Sequence, residues 1–226
     1  MRQASALQLE EKLDAARQMA WDEALLVCAP ADSLILRFYA WAGPALTFGY
    51  GQPWAIAAGA AAARGVPEPE VVRRATGGGI VFHDGDLTFS LCFPWTRISS
   101  PVEIDKKVHR GVLRGLREVG VEARLWVPEA GALKRPQAQC FAGPEPFDLV
   151  DGAGRKVLGG ALRRRSGRGL YQGSLRLDRA LEVRAAMNLG LAQELGGSFS
   201  RIDLSWIRAG AELAEKYRSD AWNKRR

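Results

Sequence analysis

Hydrophobic residues recur at two different periods along this chain, and the mixture predicts helices and strands in irregular alternation. Apolar positions three or four residues apart predict helices over 7–28, 54–64, 105–119, 178–195 and 205–217. Shorter segments rich in β-branched, aromatic or alternating apolar residues predict strands over 33–41, 45–51, 71–74, 80–83, 87–93, 122–127, 147–150, 156–161 and 170–177. Asp178 is expected to cap the fourth helix, and the basic stretch from Lys216 is expected to fray.

Tight turns between consecutive strands indicate which of them pair. Turn residues at 84–86 predict a hairpin between 80–83 and 87–93, and those at 151–154 predict another between 147–150 and 156–161. Because hairpins join antiparallel strands, the pattern favours a mixed, mostly antiparallel central sheet flanked by helices, which is an α+β fold. The length of 226 residues fits one large domain, or one and a half, and we expect a single domain over 1–226 without an accessory C-terminal domain.

Composition and charge narrow the functional classes. The longest apolar stretches are far shorter than the ~18 residues of a membrane span, and acids stand where a signal peptide needs an apolar run. We therefore expect no membrane association and a cytoplasmic location. Three cysteines, two histidines and no CxxC pair argue against a metal site or a disulfide framework. The net charge of +7 suits an acidic binding partner. The run Arg163–Arg165 suggests nucleic acid as such a partner, but the chain lacks the interleaved aromatic and basic residues of a nucleic-acid-binding motif.

A run of three glycines after the strand at 71–74 is the densest candidate for chemistry. Gly77–Gly79 would let the backbone approach a ligand and expose N–H groups, while Arg73 and Arg74 would supply charge for a phosphate or carboxylate. The alternative is a solvent-facing turn beside ordinary surface arginines. The run is neither GxGxxG nor GxxxxGKS, so it supports neither a Rossmann nor a Walker nucleotide site.

The cysteines and one lysine form a second candidate site. Cys28 and Cys92 fall on a predicted helix and strand and fit the buried, inert type. Cys140 lies in a Pro-rich loop, sixteen residues before Lys156. Because the thiolate is the reactive form, a loop cysteine beside a cation can be a nucleophile. On its own, Lys156 would be an ordinary solvated lysine.

The two histidines receive different interpretations. His83 ends a predicted strand and is followed by Asp84, so it is a candidate base or ligand-orienting group, with a satisfied structural histidine as the alternative. His109 follows Val108 on a predicted helix and is interpreted as a surface residue.

Four segments, in order along the chain, resemble the lipoate-attachment family of lipoate-protein ligases and protein octanoyltransferases, which is related to the biotin protein ligases. They are MAWDEALL at 19–26, LRFYAW at 36–41 with GYGQ at 49–52, RRATGGGIVFHDGDLTFS at 73–90, and DLVDGAGRKVLGGALRRRSGRGLYQGSL at 148–175. The second segment resembles the family's first hairpin. The resemblance implies an acyl-binding tunnel closed by the glycine-rich turn.

The same resemblance implies roles for particular residues. The substrate site would be formed by Arg74, Thr76, Gly77, Gly78, Gly79 and Gly159, with His83 beside it. Lys156 would contact the acyl carbonyl, or the adenylate phosphate in a ligase.

Among the branches of this family, the chain is most similar to the cysteine-type octanoyltransferases, because Cys140-Phe141 precedes the lysine block. That branch implies transfer of an octanoyl or lipoyl group through a Cys140 thioester to a lysine of a lipoyl domain or glycine cleavage H protein-like acceptor, without a cofactor. The donor would be octanoyl-acyl carrier protein, or free lipoate. Neither a nucleic acid nor a membrane partner is expected.

Two alternatives remain open at this point. The first is a lipoate-protein ligase that uses ATP and Mg to form an acyl-adenylate, because the triple glycine resembles the ligases. The second is a non-catalytic or diverged acyl-binding member. Gly160 and Leu162 stand where the family usually has Ser and Gln, and Gln172 stands where it usually has His.

Overall fold

The computed structural model describes residues 4–8, 12–30, 32–65, 67–95, 100–128, 138–177, 182–197, 199–201 and 209–225. The strands are β1 (Ala4–Gln8), β2 (Leu34–Tyr39), β3 (Ala45–Phe48), β4 (Glu70–Arg73), β5 (Val81–His83), β6 (Leu87–Pro94), β7 (Arg124–Leu125), β8 (Leu149–Val150), β9 (Lys156–Arg165), β10 (Arg168–Leu175) and β11 (Phe199–Arg201). The helices are α1 (Ala15–Cys28), α2 (Trp54–Arg64), α3 (Pro101–Glu118), α4 (Val183–Leu195), α5 (Ala209–Arg218) and α6 (Asp220–Asn223).

Two sheets form the framework. The larger has the order β11-β1-β2-β6-β10-β9-β8-β7, and the smaller has the order β4-β3-β5. In the larger sheet β1 runs parallel to β11 and β2, and the other neighbouring pairs are antiparallel. This confirms the predicted α+β fold with a mixed, mostly antiparallel central sheet.

Helices cover both faces of the central sheet, so its middle strands are buried on both sides. Along β2, Leu34, Leu36 and Phe38 contribute to the core that includes α3 and α4. Ile35 lies instead in the cluster with α1 residues, and α1 also packs against α5. Because successive side chains of a strand point to opposite faces, β2 is apolar almost continuously. Its exception is Arg37, whose guanidinium pairs with Asp22 of α1 at 2.7 Å in the interior.

The start of the chain differs from the prediction. A helix over 7–28 is wrong in its first part, because Leu7 lies in β1 and pairs with Arg37 of β2. The helix begins only at Ala15, after Asp14, whose side chain accepts a hydrogen bond from the Arg17 N–H at 2.7 Å. Apolar residues in a strand that precedes a helix can fall at helical spacing by chance. Only the pairing of β1 with β2 shows that this part of the chain is a strand.

One predicted hairpin is confirmed and one is wrong. β8 and β9 pair antiparallel across the turn at 151–154, as predicted. β5, however, pairs with β3 in the small sheet, whereas β6 pairs with β2 and β10 in the large one. The turn between β5 and β6 therefore carries the chain from one sheet to the other. β2 lies in the large sheet and β3 in the small one, so these two strands do not form the hairpin that the family resemblance implied.

The end of the chain is held rather than frayed over the part that the structure describes. Asn223 of α6 is buried, and its side-chain oxygen accepts a hydrogen bond from the Arg73 N–H at 2.8 Å. The predicted cap at Asp178 and the start of the predicted helix over 205–217 lie outside the described residues.

Candidate active site

Cys140 is held against the residue that follows the glycine run. Its backbone N–H donates to the Ile80 carbonyl at 2.8 Å, and the Ile80 N–H donates to the Ala138 carbonyl at 2.8 Å. A Cβ added to Gly79 would lie 2.8 Å from the Cys140 nitrogen and 3.0 Å from the Ala138 oxygen, closer than real Cβ atoms approach. A glycine at position 79 is therefore what allows the cysteine loop to close onto this strand.

The Cys140 thiol faces a buried ion pair. Lys156 Nζ lies 3.3 Å from Cys140 Sγ and 2.8 Å from Asp148 Oδ2. The side chains of Lys156 and Asp148 are only 3% and 7% exposed. Burial disfavours the charge on Lys156, but Cys140 and the Asp148 carboxylate outweigh it and raise the pKa of the lysine. Lys156 is therefore an ammonium at neutral pH, and a cation at this distance stabilises a thiolate.

A narrow cleft opens beside this thiol. Its walls are mostly apolar or small, and they include Met19, Tyr39, Trp41, Val81 and Ala161. Of the residues predicted for the site, the cleft is lined by Arg74, Gly78, His83, Cys140 and Gly159. Lys156 does not line this cleft but a second, polar depression, and its Nζ reaches the cleft only through its contact with the thiol. An apolar cleft lined by a thiol that touches an ammonium can bind an acyl chain with its carbonyl beside the sulfur.

Arg74 shapes the glycine turn from inside the protein. Its guanidinium donates to the carbonyls of Gly77 and Gly79 at 2.8 and 2.9 Å and to Thr47 Oγ1 at 2.9 Å. Burial lowers its pKa to about 10, so it keeps its charge at neutral pH. The neighbouring Arg73 points elsewhere, since its guanidinium donates to the carbonyls of Tyr50 and Asn223. Only the second of the two arginines therefore reaches the cleft.

His83 forms part of the cleft wall. Its Nδ1 lies 2.9 Å from Asp86 Oδ2, its Nε2 lies 2.8 Å from Thr47 Oγ1, and its ring stacks on Trp41 at 4.0 Å. Burial lowers its pKa, and Asp86 offsets this only in part, so the ring is neutral. Its Nδ1–H then donates to the carboxylate and its Nε2 accepts from Thr47. With both nitrogens occupied, the geometry suits orientation of the wall better than proton transfer.

Thr76 belongs to a buried polar network behind the turn. Its hydroxyl donates to Gln172 Oε1 at 2.6 Å, and Gln172 Nε2 donates to Asp22 Oδ2 at 2.6 Å. Asp22 in turn pairs with Arg37. Gln172 thus connects the glycine turn to α1, and it also lines the cleft. The sequence contains a signal for Asp22, because Asp22 and Glu23 are adjacent acids within the otherwise apolar segment at 19–26.

The replacement of Ser by Gly160 has a steric explanation. A Cβ at Gly160 would collide with the ring of Tyr171, which is fully buried on the side of α3 and α4. Leu162 pairs with Tyr171 across β9 and β10 and packs against the same core. Side chains at 160 and 162 are therefore directed towards this core, and Gly160 lines the cleft with its backbone alone.

Two residues of the sequence analysis were misjudged. His109 is buried rather than on the surface, because its Nδ1 lies 2.5 Å from the Phe147 carbonyl and its Nε2 lies 2.6 Å from the Tyr171 hydroxyl. Cys28 is exposed, whereas Cys92 is buried as interpreted. Asp148 lies within the family-like segment at 148–175, and only the folded structure shows its ion pair with Lys156.

Within the ranges that the structure covers, no group of three or more His, Cys, Asp or Glu side chains could hold a metal ion. None of the helices over those same ranges is long and apolar enough to cross a bilayer.

Comparison with known proteins identifies related sequences and folds. Residues 14–194 match the family described as the lipoyl protein ligase A/B catalytic domain. An octanoyltransferase LipM of Halalkalibacterium halodurans is 37% identical in an alignment of 176 positions that covers 73% of this chain and 63% of the relative. An octanoyltransferase LipM of Staphylococcus epidermidis is 28% identical in an alignment of 262 positions, gaps included, that covers 92% of this chain and 94% of the relative. The match to the first of these relatives thus spans less than two thirds of its length.

Solved structures share the fold. Protein Ta0514 of T. acidophilum with bound lipoic acid has a TM-score of 0.76 and 22% identity, over 98% of this chain and 99% of that one. A lipoate-protein ligase A bound with ATP has a TM-score of 0.73 and 22% identity, over 99% and 98%. A bi-partite lipoate protein ligase studied with its E2 lipoyl domain, from Thermoplasma acidophilum, has a TM-score of 0.74 and 22% identity, over 99% and 97%.

Proposed function

Since the chain belongs to the lipoyl protein ligase A/B catalytic domain family, we propose that it is an octanoyltransferase that carries its acyl group on Cys140. The observation that carries the proposal is the position of Lys156 Nζ, 3.3 Å from Cys140 Sγ and 2.8 Å from Asp148. The octanoyltransferase relatives support the same activity.

In the first step the Cys140 thiolate attacks the carbonyl carbon of an octanoyl thioester. A C–S bond to Cys140 forms, the C–S bond to the donor breaks, and the donor leaves as a thiolate that takes up a proton. The Lys156 ammonium stabilises the attacking sulfur and the negative charge that develops on the carbonyl oxygen. Asp148 keeps the ammonium in place, and the apolar cleft holds the alkyl chain.

In the second step the neutral amine of an acceptor lysine attacks the acyl-cysteine. A C–N bond forms, the C–S bond breaks, the amine loses a proton, and Cys140 returns as a thiol. The products are an amide and the free donor thiol, so the reaction needs no ATP, metal or redox cofactor. The donor would be octanoyl-acyl carrier protein, and the acceptor would be a lipoyl domain or a glycine cleavage H protein-like domain. A cytoplasmic location stays a prediction.

Intact-mass spectrometry after incubation with octanoyl-acyl carrier protein tests the acyl-enzyme. We expect one octanoyl group on the wild type without ATP and none on Cys140→Ser. Cys28→Ser is the matched control, because Cys28 is exposed and does not line the cleft, and this variant should acylate normally. Modification that requires ATP and free lipoate, or normal transfer by Cys140→Ser, would overturn the proposal in favour of a ligase.

A further inference from the structure

A buried histidine outside the reaction scheme connects the core to the loop that carries Asp148. His109 of α3 is 2% exposed, and both of its ring nitrogens have partners on other elements. Nδ1 lies 2.5 Å from the Phe147 carbonyl, and Nε2 lies 2.6 Å from the hydroxyl of Tyr171, itself fully buried. The rings of His109 and Tyr171 meet edge to face at 5.9 Å.

The direction of these two hydrogen bonds follows from chemistry. Burial lowers the pKa of His109 to about 4, so the imidazole is neutral and carries one N–H. The Phe147 carbonyl can only accept, so the proton is on Nδ1. Nε2 then accepts from Tyr171, whose own pKa burial raises well above the usual value, so it keeps its hydroxyl proton. A fixed chain of donors therefore runs from Tyr171 through His109 to Phe147.

Phe147 needs such support because its backbone is strained. Its φ is +72°, in the left-handed region that residues with a Cβ avoid. Its N–H donates to the Trp126 carbonyl at 2.9 Å, and its carbonyl is held by His109. The next residue is Asp148, whose backbone N–H and C=O are also bonded, to Glu145 and Trp126. The Asp148 carboxylate also accepts a hydrogen bond from the Glu145 N–H at 2.6 Å, so this contact and the conformation at Phe147 together orient it.

We propose that His109, supported by Tyr171, is a positioning residue for the Cys140–Lys156 pair. By holding the carbonyl of strained Phe147, it keeps the Asp148 carboxylate 2.8 Å from Lys156 Nζ, and the ammonium stays directed at the thiol. Gly160 contributes to the same arrangement, because a side chain at this position would displace the Tyr171 ring that supports His109. The inference rests on the proposed function of Cys140 but concerns different residues.

The test is the rate of alkylation of Cys140 by iodoacetamide from pH 5 to 10, followed by peptide mass spectrometry. His109→Leu removes both hydrogen bonds, so we expect alkylation at pH 7 to slow about tenfold, because the ammonium is no longer held against the thiol. His109→Asn can still donate to the Phe147 carbonyl and should retain most of the wild-type rate. In His109→Leu/Phe147→Gly, glycine adopts the left-handed conformation without strain, and we expect part of the rate to return.

Val112→Ala is the matched control. Val112 is fully buried on the same helix, so its truncation should lower the melting temperature and leave the pH profile unchanged. If His109→Leu does not fold, Tyr171→Phe takes its place, with an expected slowing of about threefold. A profile of either folded variant that coincides with the wild type overturns the inference.

The alkylation rates of the His109 variants can be interpreted independently of whether Cys140 forms an acyl-enzyme. A wild type that forms no acyl-enzyme refutes the transferase, while the alkylation profile still reports whether His109 acts on Cys140. Normal acylation with unchanged profiles in the variants refutes only the role of His109.

Discussion

Replacing Lys156 by Met would leave an unbranched side chain one atom shorter and remove its charge. Nζ stands 3.3 Å from Cys140 Sγ, close enough to stabilise both the thiolate and the developing oxyanion. One donor aimed at such a charge is worth about 10²–10³ in rate. We therefore expect the rate of acyl-enzyme formation by Lys156→Met to fall by about that factor.

The same substitution has a separate effect on stability. Removing one partner of a buried ion pair costs about 3–5 kcal/mol if the other charge remains. Burial raises the pKa of Asp148 even beside Lys156. Without the ammonium, the Asp148 carboxyl therefore takes up a proton at low pH, and the loss of stability caused by Lys156→Met becomes smaller there. Because the folded variant then binds more protons than the unfolded chain, its free energy of unfolding should fall as pH rises from 5 to 8.

Two assays distinguish these effects. Single-turnover acylation by octanoyl-acyl carrier protein, read by intact mass, measures the rate, and urea denaturation measures stability. The double variant Lys156→Met/Asp148→Asn has neither charge, so it should recover most of the stability and none of the rate. Recovery of the rate in the double variant, or a single variant within tenfold of the wild type, would refute the electrostatic role of Lys156.

Three further predictions concern the turn and the buried core. Gly79→Ala should abolish acylation, whereas Gly77→Ala should be close to wild type, because a Cβ there meets nothing within 4 Å; equal activities in the acylation assay would contradict this. The pKa of His109 is lowered by burial to about 4, so protonation of the unfolded chain should cost about 2 kcal/mol of stability between pH 7 and 5, and urea titrations should show a smaller loss in His109→Leu. Gly160→Ser should destabilise by about 1–3 kcal/mol through its collision with Tyr171, and Tyr171→Leu should relieve it; a thermal melt of Gly160→Ser unchanged from wild type would exclude that collision.

Local pattern alone was sufficient for elements whose hydrogen bonds and burial are decided nearby. The helix at Trp54–Arg64 was predicted with both of its ends, and the β8/β9 hairpin was predicted from its turn. The Cys140 and Lys156 candidates came from residue types in the order typical of a family. For the helix and the hairpin the determining feature, a run of helix-forming alanines or a tight turn, lies within a few residues.

Long-range pairing was decided only by the tertiary structure. Nothing near Leu7 shows that β2, some thirty residues later, will supply its hydrogen bonds, and the turn after His83 does not show that β5 and β6 enter different sheets.

The chemistry of the site follows the same division. The sequence by itself determined that a cysteine, a lysine and a glycine run were present. The contact of Gly79 with the cysteine loop, the ion pair of Lys156 with Asp148 and the burial of His109 depend on packing between segments far apart in the chain. Because periodicity within one segment carries no information about the partner across the core, only the folded structure could bring these groups together.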